Sequence, residues 1–338
     1  MFKKLQSLAN KMVSHFSHND MDGYAPKVLS ELSSLHISEF KPCSYDNFEK
    51  ELDERISFYE NHDNLRDFGL LITDIAPTSK EIVERLAALH KNGLAIVLLD
   101  HHDTARWIEE ENPEWAFIQT SLDGFLTCGT ELYHMYLVEK ELLEDSSKIG
   151  EFVEHVRAYD TWDWSRNGNV FAKELNSLLY TLGPVQWLEF QLDKLLNGHH
   201  KDSFGFNPTE EILVDIESKS EAAYIRSRSN KVEEQVWKIG NDEYKVGVVF
   251  GERYHSTLGN ELHEANLHLD FMAMIDMNGK KVSLRTKHEH VHVGEIAKAI
   301  GTGGGHQKAA GFQLLGPVAA TVLMGTLHEI EADNKRFF

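Results

Sequence analysis

The chain has 338 residues, of which 41% are hydrophobic and 26% charged, a balance that excludes wholesale disorder and suffices for two domains of ordinary size. Against 54 acidic residues stand 34 basic ones, a net charge of −20. A surface of that sign repels long polyanions and argues against a coat on duplex DNA or an anionic membrane, whereas a local cluster of metal ions, Arg and Lys can still hold a small phosphorylated ligand.

The basic start, Met1-Phe2-Lys3-Lys4-Leu5, is broken by Gln6, Ser7, Asn10 and Lys11 and does not read as a signal peptide. No apolar run approaches the roughly 18 residues that a membrane helix needs. Three short apolar runs follow, each ending in ligand-type residues. Residues 13–16 lead into Ser17-His18-Asn19-Asp20-Met21-Asp22-Gly23, residues 68–73 into Asp74, and residues 94–99 into Asp100-His101-His102-Asp103. The second and third runs are continuous rather than alternating, as in strands buried on both faces of a parallel sheet. A helix over 79–89 lies between them, with Ile82, Leu86 and Leu89 at helical spacing after Pro77-Thr78-Ser79. The reading is an α/β domain with a doubly wound parallel sheet. A fourth strand is expected at 115–120, then a helical stretch over 129–159 that ends in the acidic cluster Asp160-Thr161-Trp162-Asp163-Trp164.

From about 192 to 235 the chain turns polar and helical in tone, with helices over 209–216 and 221–237, and reads as a connector. Short strands at 246–250, 269–275 and 281–285, a helix over 293–300 and a glycine-rich turn make a smaller α/β domain. The expected division is 1–190, a helical connector over 191–238, and 239–338.

Ligands of open parallel sheets bind beyond the carboxyl ends of the strands, and three strand ends here deliver carboxylates or imidazoles to that edge. His18-x-Asp20-x-Asp22-Gly23 puts three donors at alternate positions, and Gly23 permits a tight turn into the next helix. Read alone, that triplet is equally an acidic cap for the helix, and Asp74 alone is equally a turn residue. Adjacent His101 and His102 directly after a wholly apolar strand are less ordinary, and 19 histidines are many for this length. Imidazole and carboxylate donors without thiolates suit Mn²⁺, Fe²⁺, Co²⁺ or Zn²⁺ better than Ca²⁺ or a structural zinc. Two ions about 3.5–4 Å apart need a bridging carboxylate and several further donors, and such a pair activates water for attack on a phosphoryl group.

Further on, Gly301-Thr302-Gly303-Gly304-Gly305-His306-Gln307-Lys308 lets backbone amides approach an anion, and a following helix is expected to aim its N-terminus there. His306 and Lys308 add donors, and Arg285 is placed as a phosphate clamp. Other features read as bland. Cys43 and Cys128 cannot build a disulfide framework and are packing residues of a reduced, cytoplasmic chain. Trp162 and Trp164 are core, and His288, His290 and His292 are a polar stretch before a helix. His263 and His268 fall on a helix end and a strand. Tyr254 and His255 are a plain loop or the lining of a base pocket.

In order, His18-x-Asp20-x-Asp22-Gly23, Asp74, Asp100-His101-His102, Asp160 and Gly303-Gly304-Gly305-His306 resemble the motifs of the DHH–DHHA1 phosphoesterases, in particular their nanoRNase and oligoribonuclease branch, which is related to the RecJ exonucleases. The resemblance runs over residues 13–190 and 240–325, and the combination is highly specific. It implies a metal-binding DHH domain, a substrate-binding DHHA1 domain and a cleft between them. It implies two divalent ions, Mn²⁺ in this family, with His18, Asp20 and Asp74 on one, Asp22, Asp74, His101 and Asp160 on the other, and Asp74 bridging. His102 would face the scissile phosphate, Asp100 would orient a neighbouring ligand, and Arg285, Gly303, Gly304, Gly305 and His306 would bind substrate. Asp163, three residues beyond Asp160, is the alternative fourth-motif ligand.

The implied activity is hydrolysis of a phosphodiester in short oligoribonucleotides or linear dinucleotides to mononucleotides. The family also suggests a cytoplasmic homodimer, and neither long duplex DNA nor a membrane is expected as partner. Cyclic nucleotide hydrolysis, a RecJ-like single-strand exonuclease and a non-catalytic nucleotide-binding module are the alternatives. A family II inorganic pyrophosphatase shares the first domain but not the glycine loop, which argues against it.

Overall fold

The continuous apolar runs become strands because both of their faces are buried. The computed structural model describes residues 1–197, 203–300 and 303–314. The chain divides into two units, Met1–Asp215 and Ile216–Phe338. In the first, β1 (Met12–His18), α1 (Met21–Leu32), β2 (His36–Cys43), α2 (Phe48–Glu60), β3 (Phe68–Thr73), α3 (Lys80–Lys91), β4 (Ala95–Asp100), α4 (Arg106–Glu111) and β5 (Ala116–Ile118) alternate along the chain. All five strands are parallel, in the order β2-β1-β3-β4-β5. A two-stranded ribbon, β6 (Ser121–Leu122) and β7 (Phe125–Leu126), precedes α5 (Gly129–Glu139), α6 (Ser147–Asp160), α7 (Asp163–Asn167), α8 (Val170–Leu182) and α9 (Pro184–Asn197).

Successive strand side chains point to opposite faces, and each face has its own core. Leu71, Val97 and Leu99 pack with Val28 of α1, Leu132 of α5, Phe152 of α6 and Trp187 of α9. Leu70, Ile72, Ile96 and Leu98 pack with Leu52 and Ile56 of α2 and Leu86 of α3. Capping side chains start the helices where the sequence offers them: Ser79 accepts the Ile82 N–H at 3.4 Å, and Ser146 the Ile149 N–H at 3.3 Å. The stretch expected as helical over 129–159 is two helices, α5 and α6.

α10 (Pro208–Ser229) contains the division between the units. Val214 joins the first unit's core and Ile225 the second's. Beyond it come β8 (Glu233–Ile239), β9 (Asp242–Phe250), α11 (His255–Ala265), β10 (Phe271–Asp276), β11 (Lys281–Arg285), α12 (Val293–Ile300), β12 (Gly303–Gly305) and β13 (Ala309–Gln313). These strands form one mixed sheet in the order β12-β13-β11-β10-β9-β8, with only the β9–β10 pair parallel. Leu258 and Leu262 of α11 pack on one face, and Val293, Ile296 and Ala297 of α12 on the other. Among the described residues no helix is long and apolar enough to cross a membrane.

Three local expectations change. The helices expected over 209–216 and 221–237 are a single helix, α10, and residues 233–237 belong to β8. Cross-strand pairing decides this: Trp237 pairs with Tyr244 and is buried against Phe271, which outweighs the charged, helix-like local sequence. The glycine-rich turn is a strand, with Gly303, Gly304 and Gly305 paired to Phe312, Gly311 and Ala310. Only glycine fits so close a ladder, since a Cβ on Gly303 would lie 2.1 Å from the Gly311 carbonyl oxygen, and Gly305 has φ +139°. A turn and β13 follow it instead of a helix, and residues 315–338 lie outside the described ones. His268 sits in a turn rather than on a strand, while His263 is in α11 as expected.

His15, on β1, is fully buried beside the Phe40 and Tyr133 rings. Its Nε2 meets Thr73 Oγ1 at 2.9 Å, and Nδ1 has no hydrogen-bond partner. Burial first, and the Lys27 charge second, push its pKa down to about 3. The unfolded chain binds this proton near pH 6.5, so stability present above that pH is lost as the pH falls toward 3. At pH 5 the loss from this one group reaches about 2 kcal/mol. His15→Gln should therefore lose less stability than the wild type between pH 7 and pH 5 in urea unfolding, and equal losses would refute the assignment.

Candidate metal centre

The donors expected in the first unit all lie at or just past the carboxyl edge of the parallel sheet, where the strand order places a site. His18 ends β1, Asp100 ends β4, and Asp74 directly follows β3. The turn after β1 is tight enough that a Cβ on Gly23 would lie 1.9 Å from the His18 carbonyl oxygen. Asp20 caps α1 by accepting the Gly23 N–H at 3.0 Å, which sets Asp22 in the first turn. Asp74 adopts the left-handed conformation, φ +57°, while its N–H donates to the Leu99 carbonyl at 3.0 Å. Asp160 is the last residue of α6.

These segments converge. His18, Asp20 and Asp74 each offer a donor atom within 4.8 Å of one another, and so do Asp22, His101 and Asp160. Asp74 links the groups: its Oδ2 is 3.7 Å from His18 Nδ1, and its Oδ1 is 3.3 Å from His101 Nε2. His101 Nε2 lies 3.6 Å from Asp160 and 3.9 Å from Asp22. Asp163, the other candidate for the fourth position, is instead held by Arg157 at 2.8 Å. Asp100 accepts the His101 N–H at 2.9 Å and fixes His102 through Nδ1 at 2.8 Å.

The electrostatics are those of a site built for cations. Burial, then the charges of Asp22, Asp20, Asp160 and Asp100, push Asp74 well above the usual carboxylate range. Burial and the Asp22 and Asp20 charges do the same to Asp160. Burial would also raise Asp20, but hydrogen bonds from His18 and the Gly23 amide outweigh it and hold that carboxyl low. Burial and the neighbouring His102 lower His101, which favours the neutral imidazole that a metal requires. His102 goes the other way: burial lowers it, but the bond to Asp100 and that group's charge carry it up to about 9. Asp74 Oδ2 and His101 Nε2 are buried without a hydrogen-bond partner. Unsatisfied donor atoms of both types, aimed into one acidic cluster, fit a divalent metal.

Two contributors escape a reading of the sequence. Asp22 Oδ2 accepts the Gly129 N–H at 2.6 Å and Oδ1 the Thr130 N–H at 2.9 Å, while Thr130 Oγ1 donates to the Asp22 carbonyl at 2.8 Å. The N-terminus of α5 thus clamps a carboxylate from more than a hundred residues away. The local signal was Gly129-Thr130 at a helix start. The second is Tyr45, whose ring centroid lies 4.8 Å from that of His18.

In the second unit the expected substrate residues gather at one end of the mixed sheet. Arg285 pairs with Ala309, and Gly305 with the next residue, Ala310. The Arg285 guanidinium donates to the Leu284 carbonyl at 2.8 Å and to Ser256 Oγ at 3.0 Å. His306 is exposed in the turn, its N–H bonded to the Ala309 carbonyl at 2.8 Å. Cys43 and Cys128 are buried and unpaired, whereas Trp162 and Trp164 are only half-buried.

A parallel-sheet edge carrying two imidazole–carboxylate groups joined by one aspartate offers the donor set of a divalent-metal site. No protein-family model matches the chain. Oligoribonuclease NrnB of Bacillus subtilis (strain 168) is 37% identical over 299 residues, 88% of this chain and 71% of that protein. The 3′,5′-cyclic-nucleotide phosphodiesterase of Helicobacter pylori (strain ATCC 700392 / 26695) is 24% identical, over 90% of this chain and 93% of that one. RecJ from Thermus thermophilus, solved in complex with Mn²⁺, shares the fold with a TM-score of 0.57 at 14% identity, over 97% of this chain and 53% of RecJ. The chain belongs to the DHH–DHHA1 family of phosphoesterases.

Because a Cβ on Gly129 would lie 2.6 Å from Asp74 Cβ and 3.0 Å from Asp22 Oδ2, Gly129→Ala must displace both carboxylates. It should weaken binding of divalent metal by about 10–100-fold, the scale of losing a group that orients a ligand. Titration calorimetry on the folded variant checks this, and unchanged affinity would sink the proposed role of the clamp.

Proposed function

We propose that the protein is a metal-dependent phosphodiesterase that hydrolyses short nucleotide substrates, oligoribonucleotides and linear dinucleotides, to mononucleotides, with Mn²⁺ as its metal. The observation that carries the reading is the convergence of His18 and Asp20 with Asp22, His101 and Asp160 around Asp74. In this reading His18, Asp20 and Asp74 hold one ion, Asp22, Asp74, His101 and Asp160 hold the other, and Asp74 is shared. When bound, such a pair supplies a water nucleophile at neutral pH and offsets charge on the phosphoryl oxygens.

The protein's own groups do the positioning. Asp100 fixes the His102 ring through Nδ1, leaving Nε2 to face the scissile phosphate. The bond to Asp100 favours the protonated His102 ring, which then presents its Nε2–H to a phosphate oxygen. The N-terminus of α5 holds Asp22 in place through the Gly129 and Thr130 amides. In the second unit, Arg285, the backbone of Gly303, Gly304 and Gly305, and His306 are the proposed substrate-binding residues. The division of labour follows the sequence: metals in the N-terminal domain, substrate recognition in the C-terminal one.

A substrate of few phosphates suits a chain of net charge −20. The same charge supports the absence of duplex-DNA and membrane partners, and two buried, unpaired cysteines accord with a reducing cytoplasm. A homodimer completes the reading. Cyclic nucleotides are the second reading, supported by the name of the H. pylori relative.

Asp74→Ala should bring turnover to background with either Mn²⁺ or Mg²⁺ and lower the bound metal, and chelator should do the same to the wild type. Near-normal activity of the metal-loaded variant would reject the assignment. A panel of dinucleotide, five-nucleotide RNA and DNA, and cyclic mono- and dinucleotides decides between the substrate readings.

A further inference from the structure

Tyr45 has no place in the chemistry above, yet it stands beside it. β2 ends at buried Cys43, and a turn closes at once: the Ser44 N–H donates to Asn47 Oδ1 at 2.8 Å, and the Ser44 carbonyl accepts the Asn47 and Phe48 N–H groups at 3.2 and 3.0 Å. Tyr45 is the second residue of that turn. Its ring lies 4.8 Å from the His18 ring and 6.4 Å from that of His102, centroid to centroid, and 61% of the residue is exposed. The hydroxyl is 3.4 Å from His102 Nε2, too long for a strong bond. A large aromatic fixed by a turn, resting on one imidazole of the centre and left open to solvent, contributes little to the core. It offers a solvent-facing π surface directly beside the centre.

Resting on the phosphodiesterase reading, we propose that Tyr45 is a stacking platform for a nucleobase of the substrate. Stacking on an aromatic ring accepts every base, because each has a π face. The platform therefore selects nucleotides over other phosphate esters without selecting a sequence, and it does not tell ribose from deoxyribose. The ring supplies the binding, so Phe or Trp at this position replaces Tyr.

The test compares a dinucleotide with its abasic counterpart on wild type, Tyr45→Ala, Tyr45→Phe and Tyr45→Trp, all with Mn²⁺. Tyr45→Ala should raise KM for the dinucleotide roughly 5- to 150-fold with little change in kcat, the range that loss of one base–aromatic stack corresponds to. Tyr45→Phe and Tyr45→Trp should stay within a few-fold of wild type, and all four proteins should treat the abasic substrate alike. The platform is overturned if Tyr45→Phe is as damaged as Tyr45→Ala, which makes the hydroxyl the working group, or if the abasic substrate suffers equally. Should the wild type cleave neither substrate, the phosphodiesterase reading falls. Calorimetric Kd values of the dinucleotide for wild type and Tyr45→Ala then decide the platform separately: a matching loss supports it, and equal values overturn it.

Discussion

The constraint on which the molecule depends is the mutual repulsion of carboxylates gathered at one sheet edge. Burial, together with the charges of Asp22, Asp20 and Asp100, raises Asp74 and Asp160. Such a cluster persists either by holding protons or by holding cations. The elevated carboxyls of Asp74 and Asp160 are the first state, and the unsatisfied atoms on Asp74 and His101 prepare the second. Metal uptake and proton release are therefore coupled.

Every other feature of the first unit serves to make that repulsion affordable. The two cores on the faces of the sheet anchor β1, β3 and β4 side by side, so that His18, Asp74 and the Asp100-His101-His102 run emerge at neighbouring ends. Partial positive charge then arrives from the α5 amides on Asp22, and imidazoles intersperse the acids. Placing a helix N-terminus rather than a lysine there keeps the charge fixed in direction and unable to occupy the cation's place.

Much of this was legible in the chain. Residues 68–72 and 94–99 betrayed themselves by carrying no polar side chain, as strands covered on both faces do, and the acids and histidines soon after them stood out against that background. Asp160 was readable as a helix end. The clamp from Gly129 and Thr130 was not, because its contact with Asp22 spans more than a hundred residues, and a Gly-Thr pair at a helix start does not say which carboxylate it meets. Tyr45 was equally silent, lying in a turn whose geometry fixes its exposure. At the glycine segment the composition signalled close backbone approach, and the structure shows that the close neighbour is its own partner strand β13. The switch from α10 to β8 was hidden because the glutamates at 233–234 favour a helix locally, and pairing with β9 overrides them.

The left-handed backbone at Asp74 has a further consequence. Its amide closes the ladder to Leu99, so the aspartate common to both donor groups is stitched into the same hydrogen bonds that hold the middle of the sheet together. Loosening it requires parting β3 from β4, which lies between two cores. Heat or denaturant should thus extinguish the centre and melt the sheet in one cooperative event, leaving no folded but disarmed form in between.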